Sequence, residues 1–500
     1  MHRDIYIPLL DIKDTGLVQE SKNGIVVVSG LTNCFFGQEV IFGNEVRGMV
    51  IGFSQHFVYC IVFCREDSVA VGSIASSSLK RLEVPVGDVF MGRVVNSLGL
   101  AQDGKYAVVP ADYYPVFRSA PGIMDRVPLY KPLETGIKII DLAIPIGKGQ
   151  RELIIGDRQI GKSSIAIDAI INQRGKDVVC IYCWIGGARS ALKKHLYTLG
   201  RSGALEYTCV ISAGADSSAA EQYLAPYTAA ALGEYFMDKG RDVLVVFDDL
   251  TKHAWIYRQI SLLLERSPGR EAYPGDIFYL HSQLLERAAC MKDELGGGSM
   301  TFLPIVETLQ GDISGYIQTN LVSITDGQIY LSSSLFRQGF KPAIDVGLSV
   351  SRIGSKVQDP GIKEVSSGLR LEYAKYRELL RLTKLRTRMS SEAEEKMLRG
   401  AVLTKLLTQQ NCCPVSSVEQ IIIFFVFQHG FLTVANKETA DHIIAKFYDY
   451  IRFADPYTVE IITKEKALNV MTKESIIDNV RSFVRALRAE DTVSAIGRRA

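Results

Sequence analysis

The stretch that decides the fold is Gly156-Asp-Arg-Gln-Ile-Gly161-Lys162-Ser163. It matches the phosphate-loop pattern G-x-x-x-x-G-K-[ST] in full, between an apolar run at residues 153–155 and a helical pattern at residues 164–171. Glycines let backbone N–H groups turn towards phosphate oxygens, the lysine reaches the outer phosphates, and the serine hydroxyl suits Mg²⁺. The residues predicted to bind a nucleotide here are Gly156, Asp157, Arg158, Gln159, Ile160, Gly161, Lys162 and Ser163.

A second apolar run, at residues 243–247, ends in the acidic pair Asp248-Asp249. In phosphate-loop proteins, a carboxylate at the end of a buried strand stands beside the magnesium ion. Asp248 follows the run directly and is therefore the better candidate of the two. Ser163 and Asp248 are the predicted metal-binding residues, and ATP with Mg²⁺ is the predicted ligand.

Nucleotide binding alone does not establish hydrolysis, which needs a group that positions the attacking water. The strand next to the phosphate loop is expected to supply that group. The candidate segment, residues 185–190, reads Ile-Gly-Gly-Ala-Arg-Ser and contains neither Asp nor Glu. The sequence thus predicts binding without turnover at this chain's own site.

Three patterns follow one another along the chain. Residues 1–80 carry short Val- and Ile-rich runs between turn signals such as Lys22-Asn23-Gly24, which predicts a small β barrel. Residues 81–357 alternate apolar runs with helical stretches, which predicts a central α/β domain with a mostly parallel, RecA-like sheet. Residues 358–500 show Leu at helical spacing among charges, which predicts an α-helical domain; residues 421–427 are expected to form a buried helix or strand.

Composition excludes several classes of protein. The chain has 500 residues and a formal net charge of +2, so neither a nucleic-acid surface nor a polybasic membrane contact is expected. No secretory signal and no transmembrane run are recognised. The pair Cys180 and Cys183 has redox-like or zinc-like spacing, but it lies inside a strand-like run at residues 178–185 without a second ligand pair, so these thiols are interpreted as structural.

Several further segments carry a resemblance to a known family. Besides GDRQIGKSS, they are residues 120–152, the run FDDLTKHAWIYRQISLLLERSPGREAYPGD, residues 298–328 and the run VGLSVSRIGS at 346–355. Together they resemble the α subunits of F-type ATP synthases, strongly in the middle of the chain and weakly at both ends, from about residue 14 to about residue 430. The Asp-Arg-Gln within the phosphate loop favours α over the catalytic β subunit.

The resemblance implies an assembly. Three α and three β subunits alternate in a ring around a central γ stalk, and a peripheral stalk with δ or b subunits is a further partner. The α subunit binds MgATP without turnover, while β holds the catalytic sites. The resemblance further implies a soluble head on the cytoplasmic face of a bacterial plasma membrane, attached through other subunits, in ATP synthesis coupled to proton or sodium transport.

The resemblance also implies residue roles. Arg352 matches the arginine that α inserts into the neighbouring β catalytic site, where it would stabilise charge on the transferred phosphoryl group; Ser323 matches another residue of that interface. Phe336 and Pro342 fall where the family packs the base. Gln409 matches a glutamine near the adenine, and Asn411 stands where a second glutamine is usual.

This sequence departs from the family at three places. Gly187 and Ala188 replace a usual glutamine and a lysine, which makes turnover at this site still less expected. Only residues 1–13 precede the barrel, so conventional δ docking is in doubt; an atypical synthase without δ and a decaying paralogue are the two hypotheses. Residues 387–396 and 421–427 match the C-terminal domain poorly.

Two rival functions stay open at the level of the sequence. The first is a homohexameric ATPase of the same superfamily, either an export-type ATPase or a Rho-like helicase. Such an enzyme should carry a catalytic glutamate near position 187, where this chain has glycine. The second is a structural or regulatory nucleotide-binding subunit outside any rotary complex, for which Arg352 would have no evident use.

Overall fold

The structure, a computed structural model, describes residues 13–43, 45–64, 68–383, 391–434 and 437–497. Its strands are β1 (Asp14–Lys22), β2 (Ile25–Ser29), β3 (Gln38–Phe42), β4 (Val46–Phe53), β5 (Val58–Val62), β6 (Ile74–Arg81), β7 (Glu83–Val86), β8 (Val94–Val95), β9 (Asp112–Pro115), β10 (Glu152–Gly156), β11 (Val178–Ile185), β12 (Thr208–Ala213), β13 (Asp242–Asp248), β14 (Ala289–Cys290), β15 (Ser299–Glu307), β16 (Gly327–Leu331) and β17 (Val350–Ser351).

The helices are α1 (Lys138–Ala143), α2 (Lys162–Ile171), α3 (Arg189–Arg201), α4 (Ala219–Asp238), α5 (Leu250–Leu263), α6 (Ile277–Leu285), α7 (Tyr316–Ile324), α8 (Ser333–Arg337), α9 (Pro360–Ser366), α10 (Leu369–Thr383), α11 (Ser391–Leu407), α12 (Ser417–Gln428), α13 (Phe431–Val434), α14 (Lys437–Ala454), α15 (Pro456–Glu465) and α16 (Val470–Gly497). No helix in the described ranges is both long enough and apolar enough to cross a membrane.

The chain forms two compact units. The first consists of Met1–Val127, Asp177–Glu307 and Ser314–Ile324. The second consists of Pro128–Lys176, Thr308–Ile313 and Thr325–Ala500. Each unit takes part of the central domain that the sequence predicts over residues 81–357, so the boundaries at 80 and 357 stay predictions.

The first unit contains a closed six-stranded barrel in the order β1-β2-β5-β4-β3-β6. Its first hairpin turns at Asn23 and Gly24, which have φ angles of 52° and 78°. A two-residue hairpin loop needs positive φ at both positions, and Asn-Gly adopts it readily. The barrel interior is filled by Val18, Val26, Val28, Leu31, Val40, Phe42, Val50, Val58, Cys60, Val62, Val69 and Ala75. The predicted N-terminal β barrel is therefore confirmed.

The first unit also holds a parallel sheet in the order β15-β13-β11-β12-β8. All residues of β11 are buried, and strands covered on both faces read as continuous apolar runs in the sequence. Helix α4 packs against β11, β12 and β13. The parallel sheet predicted for the central domain is confirmed, and it brings the carboxyl ends of β11 and β13 side by side.

Strand β11 also carries Cys180 and Cys183, both fully buried. Successive side chains of a strand alternate between its faces, so residues three apart point to opposite sides of the sheet. These two thiols therefore cannot converge on one metal ion or form a disulfide with each other. Their surroundings are those of small apolar core residues.

The second unit contains β10 paired in parallel with β16, and β16 paired antiparallel with β17. Strand β10 leads directly into the phosphate loop, and α2 follows it. Helices α1 and α8 belong to this unit as well, and α9 to α16 follow them, which confirms a C-terminal helical domain. The apolar residues 421–427 are buried on α12, so the helix is the correct one of the two expected forms.

Some predictions fall on residues outside the described ranges. Residues 1–12 are among these, so the hypotheses about δ docking rest on the sequence alone. Residues 384–390, within the region predicted to be α-helical, are also outside, and they include the start of the poorly matching segment 387–396.

Candidate nucleotide site

The phosphate loop of the second unit begins at the buried end of β10. An added Cβ at Gly156 would stand 2.8 Å from the carbonyl oxygen of Leu331 on the neighbouring strand β16, so the close strand approach requires glycine. Gln159 and Gly161 have positive φ angles of 61° and 103°. A non-glycine residue in this conformation marks a turn held by its surroundings, as functional loops often are. Gly161 is the N-cap of α2, so the loop ends on the helix N-terminus.

Lys162 lies in the first turn of α2 and is buried. Its Nζ donates hydrogen bonds to the carbonyl oxygens of Gly156, at 2.9 Å, and Asp157, at 2.6 Å. The ammonium group is thus held across the loop. Ser163, next along the helix, is half-buried, and Ile160 packs under the loop while Arg158 and Gln159 are exposed.

Asp157 is turned towards protein donors. Its carboxylate accepts from the hydroxyl of Thr308 at 2.6 Å, from the N–H of Gly311 at 2.7 Å, and from the hydroxyl of Ser333. Burial acts to raise the pKa of Asp157, but these hydrogen bonds and the charge of Lys162 outweigh it, and the pKa lies below its usual value. Asp157 therefore anchors the loop to its neighbours.

The residues proposed for the base lie in the same unit. The ammonium of Lys341 stands 5.5 Å from the ring centre of Phe336, and the next residue is Pro342. The N–H of Gln409 donates to the carbonyl oxygen of Lys341 at 2.8 Å. These contacts bring Phe336 of α8 and the turn at Pro342 together with the segment that carries Gln409.

The side-chain amide of Gln409 is itself engaged by the backbone. Its Oε1 accepts from the N–H of Lys138 at 3.1 Å, and its Nε2 donates to the carbonyl oxygens of Gly136 and Cys413, both at 2.8 Å. Gln409 thus fastens its own loop in place. Asn411, two residues on, is exposed.

Asp168 links α2 to the loop that contains Gln409 and Asn411. Its Oδ1 accepts from the N–H of Cys412 at 2.8 Å. Burial raises the pKa of Asp168 to about 6, and the hydrogen bond from Cys412 offsets only part of that rise.

The raised pKa predicts a pH-dependent stability. The folded chain holds a proton on Asp168 that the unfolded chain releases near pH 3.8, so this contribution is present at low pH and is lost as pH rises through 6. Asp168→Asn keeps the acceptor oxygen but cannot ionise. We expect its advantage in free energy of unfolding over the unaltered chain to grow by about 1 kcal/mol between pH 5 and pH 7.5. Urea unfolding of both proteins at the two pH values measures this difference in free energy of unfolding. Asp112→Asn, at an exposed aspartate, is the control. A difference between variant and unaltered chain that is the same at both pH values would contradict the prediction.

In the first unit, β13 ends in two carboxylates with different surroundings. Asp249 caps α5, accepting from the N–H of Lys252 at 2.9 Å and pairing with its ammonium at 2.6 Å. Asp248 is buried, and its Oδ2 accepts from the hydroxyl of Tyr182 at 2.7 Å. That hydroxyl also lies 2.9 Å from Nδ1 of His195. Because Asp249 is occupied as a cap, Asp248 stays the predicted magnesium ligand.

The segment after β11 has no space for the side chain that the sequence comparison placed there. An added Cβ at Gly187 would lie 2.1 Å from Cζ2 and 2.4 Å from Cε2 of Trp184. The indole therefore occupies the position of a side chain at residue 187. Trp184, Tyr182 and His195 were not predicted from the sequence; the tryptophan two residues before the Gly186-Gly187 pair was the available signal.

Arg352 is exposed on a loop that is held by several hydrogen bonds and an ion pair. Its N–H donates to the carbonyl oxygen of Asp326 at 2.9 Å, and the hydroxyl of Ser351 donates to that of Pro145 at 2.8 Å. Asp326 in turn pairs with Arg151 at 2.8 Å. The backbone around this exposed residue is thus fixed.

Glu152 lies fully buried near Arg352. Burial and the charge of Asp326 raise the pKa of Glu152 well above its usual value, although a hydrogen bond from Gln150 and the charge of Arg352 act against the rise.

Ser323, the other residue predicted at a subunit interface, is on α7 in the first unit. Its side chain is exposed, and its hydroxyl donates to the carbonyl oxygen of Asn320 at 2.7 Å. This bond is local to one helical turn. It leaves Ser323 on the surface of its unit.

The chain has an N-terminal barrel, a parallel sheet, a phosphate loop between a strand and a helix, and a helical C-terminal domain. These features define the class of multidomain P-loop nucleotide-binding proteins. Family models match the chain in three parts: the beta-barrel domain of the ATP synthase alpha/beta family over residues 11–77, its nucleotide-binding domain over 136–351, and the C terminal domain of the ATP synthase alpha/beta chain over 358–483.

Proteins of similar sequence identify the family within this class. ATP synthase subunit alpha of Clostridium botulinum (strain Langeland) is 50% identical over 438 residues, 88% of this chain and 87% of the relative. Those of Clostridium acetobutylicum and Clostridium kluyveri are 45% and 44% identical over 477 and 483 residues, covering 95% and 97% of this chain and 93% and 95% of theirs. The chain belongs to the family of ATP synthase α subunits.

The comparisons confirm the family resemblance and extend it. The match to the C-terminal domain runs to residue 483, well past the limit of about 430 set by the sequence analysis. The same relatives disfavour the export-type ATPase and the Rho-like helicase. ATP binding follows from the nucleotide-binding family model.

Proposed function

We propose that this chain is the non-catalytic, MgATP-binding α subunit of a rotary F-type ATP synthase and that it supplies Arg352 to a neighbouring β subunit. The observation that carries the proposal is a contrast between two segments of the chain. The phosphate loop is complete, whereas the segment after β11 offers no carboxylate and Trp184 fills the space at Gly187. A chain with these two features can hold a nucleotide, but this segment offers no carboxylate to position water.

The nucleotide contacts are assigned by residue. The loop Gly156–Ser163 binds the phosphates through N–H groups and the Lys162 ammonium, with Gln159 exposed at its turn. The base packs near Phe336 and Pro342, and the loop of Gln409 and Asn411 closes that end. Mg²⁺, when bound, neutralises phosphate charge. Ser163 and Asp248 are assigned to it because hard cations prefer oxygen ligands.

The partners are β subunits in an alternating three-plus-three ring, a central γ stalk and a δ- or b-containing peripheral stalk. The relatives are bacterial, which supports a head on the cytoplasmic face of the plasma membrane, held there by other subunits. Arg352 and Ser323 are assigned to the interface with β because both are exposed. ATP synthesis coupled to proton or sodium transport is the activity of the whole assembly.

The lone chain provides the direct test. We expect equilibrium dialysis to show MgATP binding and a phosphate-release assay to show no turnover, because the chain lacks a water-positioning group. The Lys162→Ala variant, purified in the same way, reports contaminating ATPase. Phosphate release by the unaltered chain that disappears in this variant would overturn the proposal in favour of a self-sufficient ATPase.

A further inference from the structure

A cleft of about 300 Å³ lies within the second unit, between the end of α1, the loop that carries Arg352 and the segment from α9 to the start of α10. Clefts of this size can accept small molecules. Four serines, a glutamine, Lys363 and Arg370 are among the residues that line it. None of the described lining residues is acidic. A lining of hydroxyl groups and positive charge is suited to an anion.

The guanidinium of Arg370 is held in place by the backbone. Its Nη2 donates hydrogen bonds to the carbonyl oxygens of Val346, at 3.1 Å, and Ser349, at 2.7 Å. A guanidinium has five N–H donors, and in the described part of the chain those of Nε and Nη1 have no protein acceptor. Because the orientation of the group is already fixed, a ligand that accepts from the remaining donors has little side-chain entropy to offset.

The second cation of the cleft is Lys363, an exposed residue of α9. Its ammonium makes neither an ion pair nor a hydrogen bond within the described ranges. The nearby carboxylates of α9 and its N-cap are engaged by other lysines. Glu364 pairs with Lys473 at 2.6 Å. Asp359 pairs with Lys466 at 3.1 Å. The charge of Lys363 is therefore available to a ligand in the cleft.

We propose that this cleft binds a small phosphorylated anion through Lys363 and Arg370, as a site separate from the phosphate loop. A guanidinium matches the geometry of phosphate oxygens, and a lysine ammonium adds a compact positive charge. The hydroxyls of Ser355 and Ser367, which also line the cleft, can donate to further phosphate oxygens. The volume is at the lower end for ligand pockets, which favours a diphosphate or a small phosphate monoester over a nucleotide.

Labelled inorganic pyrophosphate is the probe, used in equilibrium dialysis with the Lys162→Ala chain so that the phosphate loop contributes little. We expect this chain to bind one pyrophosphate. Adding Lys363→Ala should weaken the binding about ten-fold or more, because a charged hydrogen bond is lost. Lys356→Ala, added instead, is the matched control. It removes an exposed positive charge from the same segment at a residue outside the lining, and we expect it to leave the affinity unchanged.

No binding of pyrophosphate, or binding that Lys363→Ala leaves unchanged, would overturn the proposal. Equal weakening by Lys356→Ala would also overturn it, because the effect would then be one of overall charge. Thermal unfolding checks the folding of each variant. If Lys363→Ala misfolds, Arg370→Lys decides, since it keeps the charge, loses the fork of donors and should weaken binding as well. None of these outcomes depends on MgATP binding by the unaltered chain.

Competition identifies the source of the phosphate. Displacement of the label by glycerol phosphate at lower concentrations than by orthophosphate would assign the cleft to an organic phosphate monoester. The reverse order would assign it to inorganic phosphate species. Both results support the anion site, whereas equal displacement by sodium chloride at the same ionic strength would overturn it, because the binding would then be screening-limited and not specific for phosphate.

Discussion

Arg352→Ala is expected to lower the ATPase rate of the complex between this chain and its β partner by about 10³- to 10⁵-fold, the range for an arginine finger supplied from a neighbouring subunit. Arg352 is an exposed residue whose backbone N–H is bonded to Asp326, and the hydroxyl of the neighbouring Ser351 is bonded to Pro145. Arg352 can therefore meet charge that develops on a partner's phosphoryl group without ordering a loop first. Steady-state phosphate release by the purified complex measures the effect.

Nucleotide binding by the lone chain should survive this substitution, which separates Arg352 from the chain's own site. Lys356→Ala is the matched control, because it removes an exposed positive charge four residues along the same segment. Arg352→Lys keeps the charge but loses the two-pronged donor geometry, so it should restore little activity. An Arg352→Ala complex that assembles normally and hydrolyses ATP at the unaltered rate would refute the finger assignment.

Lys162→Ala is expected to weaken MgATP binding by the lone chain by about 100-fold or more, since hydrogen bonds to charged groups contribute roughly 1.5–3 kcal/mol each. The Lys162 ammonium now bonds to the carbonyl oxygens of Gly156 and Asp157, so it lies within the loop that receives the phosphates. Its removal takes a positive charge out of that loop. Equilibrium dialysis with labelled ATP gives the two affinities.

The same bonds also brace the loop, so the Lys162→Ala variant needs a folding check by thermal unfolding. Lys193→Ala, at an exposed lysine on α3, controls for the loss of a positive charge as such. We expect it to bind MgATP like the unaltered chain. Binding by Lys162→Ala within a factor of two of the control would show that the nucleotide, if held, is held somewhere other than the phosphate loop.

The fold was predictable where burial or backbone conformation restricts the residue types that a segment can contain. Strand β11 was located at its observed ends, because a strand covered on both faces must be apolar throughout. The Asn23-Gly24 turn and the glycines of the phosphate loop were recognisable because few residues adopt those backbone angles. The apolar stretch 421–427 stayed ambiguous between helix and strand, because a short run without polar positions has no readable period.

Contacts between distant segments could not be predicted. The phosphate-loop pattern made Asp157 a candidate nucleotide contact, but its bonds to Thr308 and Ser333 join residues more than 150 positions apart. The same holds for Gln409, whose amide holds residues 136–138. Local spacing shows which residue types meet a ligand, whereas the direction of a side chain depends on partners that only the folded chain brings near.

The indole above Gly187 restricts the mutational history of this chain. With Trp184 present, even alanine at position 187 would place a carbon atom about 2 Å from the ring, well inside van der Waals contact. A lineage that gains or loses a side chain at 187 must therefore change residue 184 first or at the same time. The two positions are epistatic. A single substitution at residue 187 that introduces a hydrolytic side chain should fail, whereas the same substitution together with a smaller side chain at residue 184 leaves room for it.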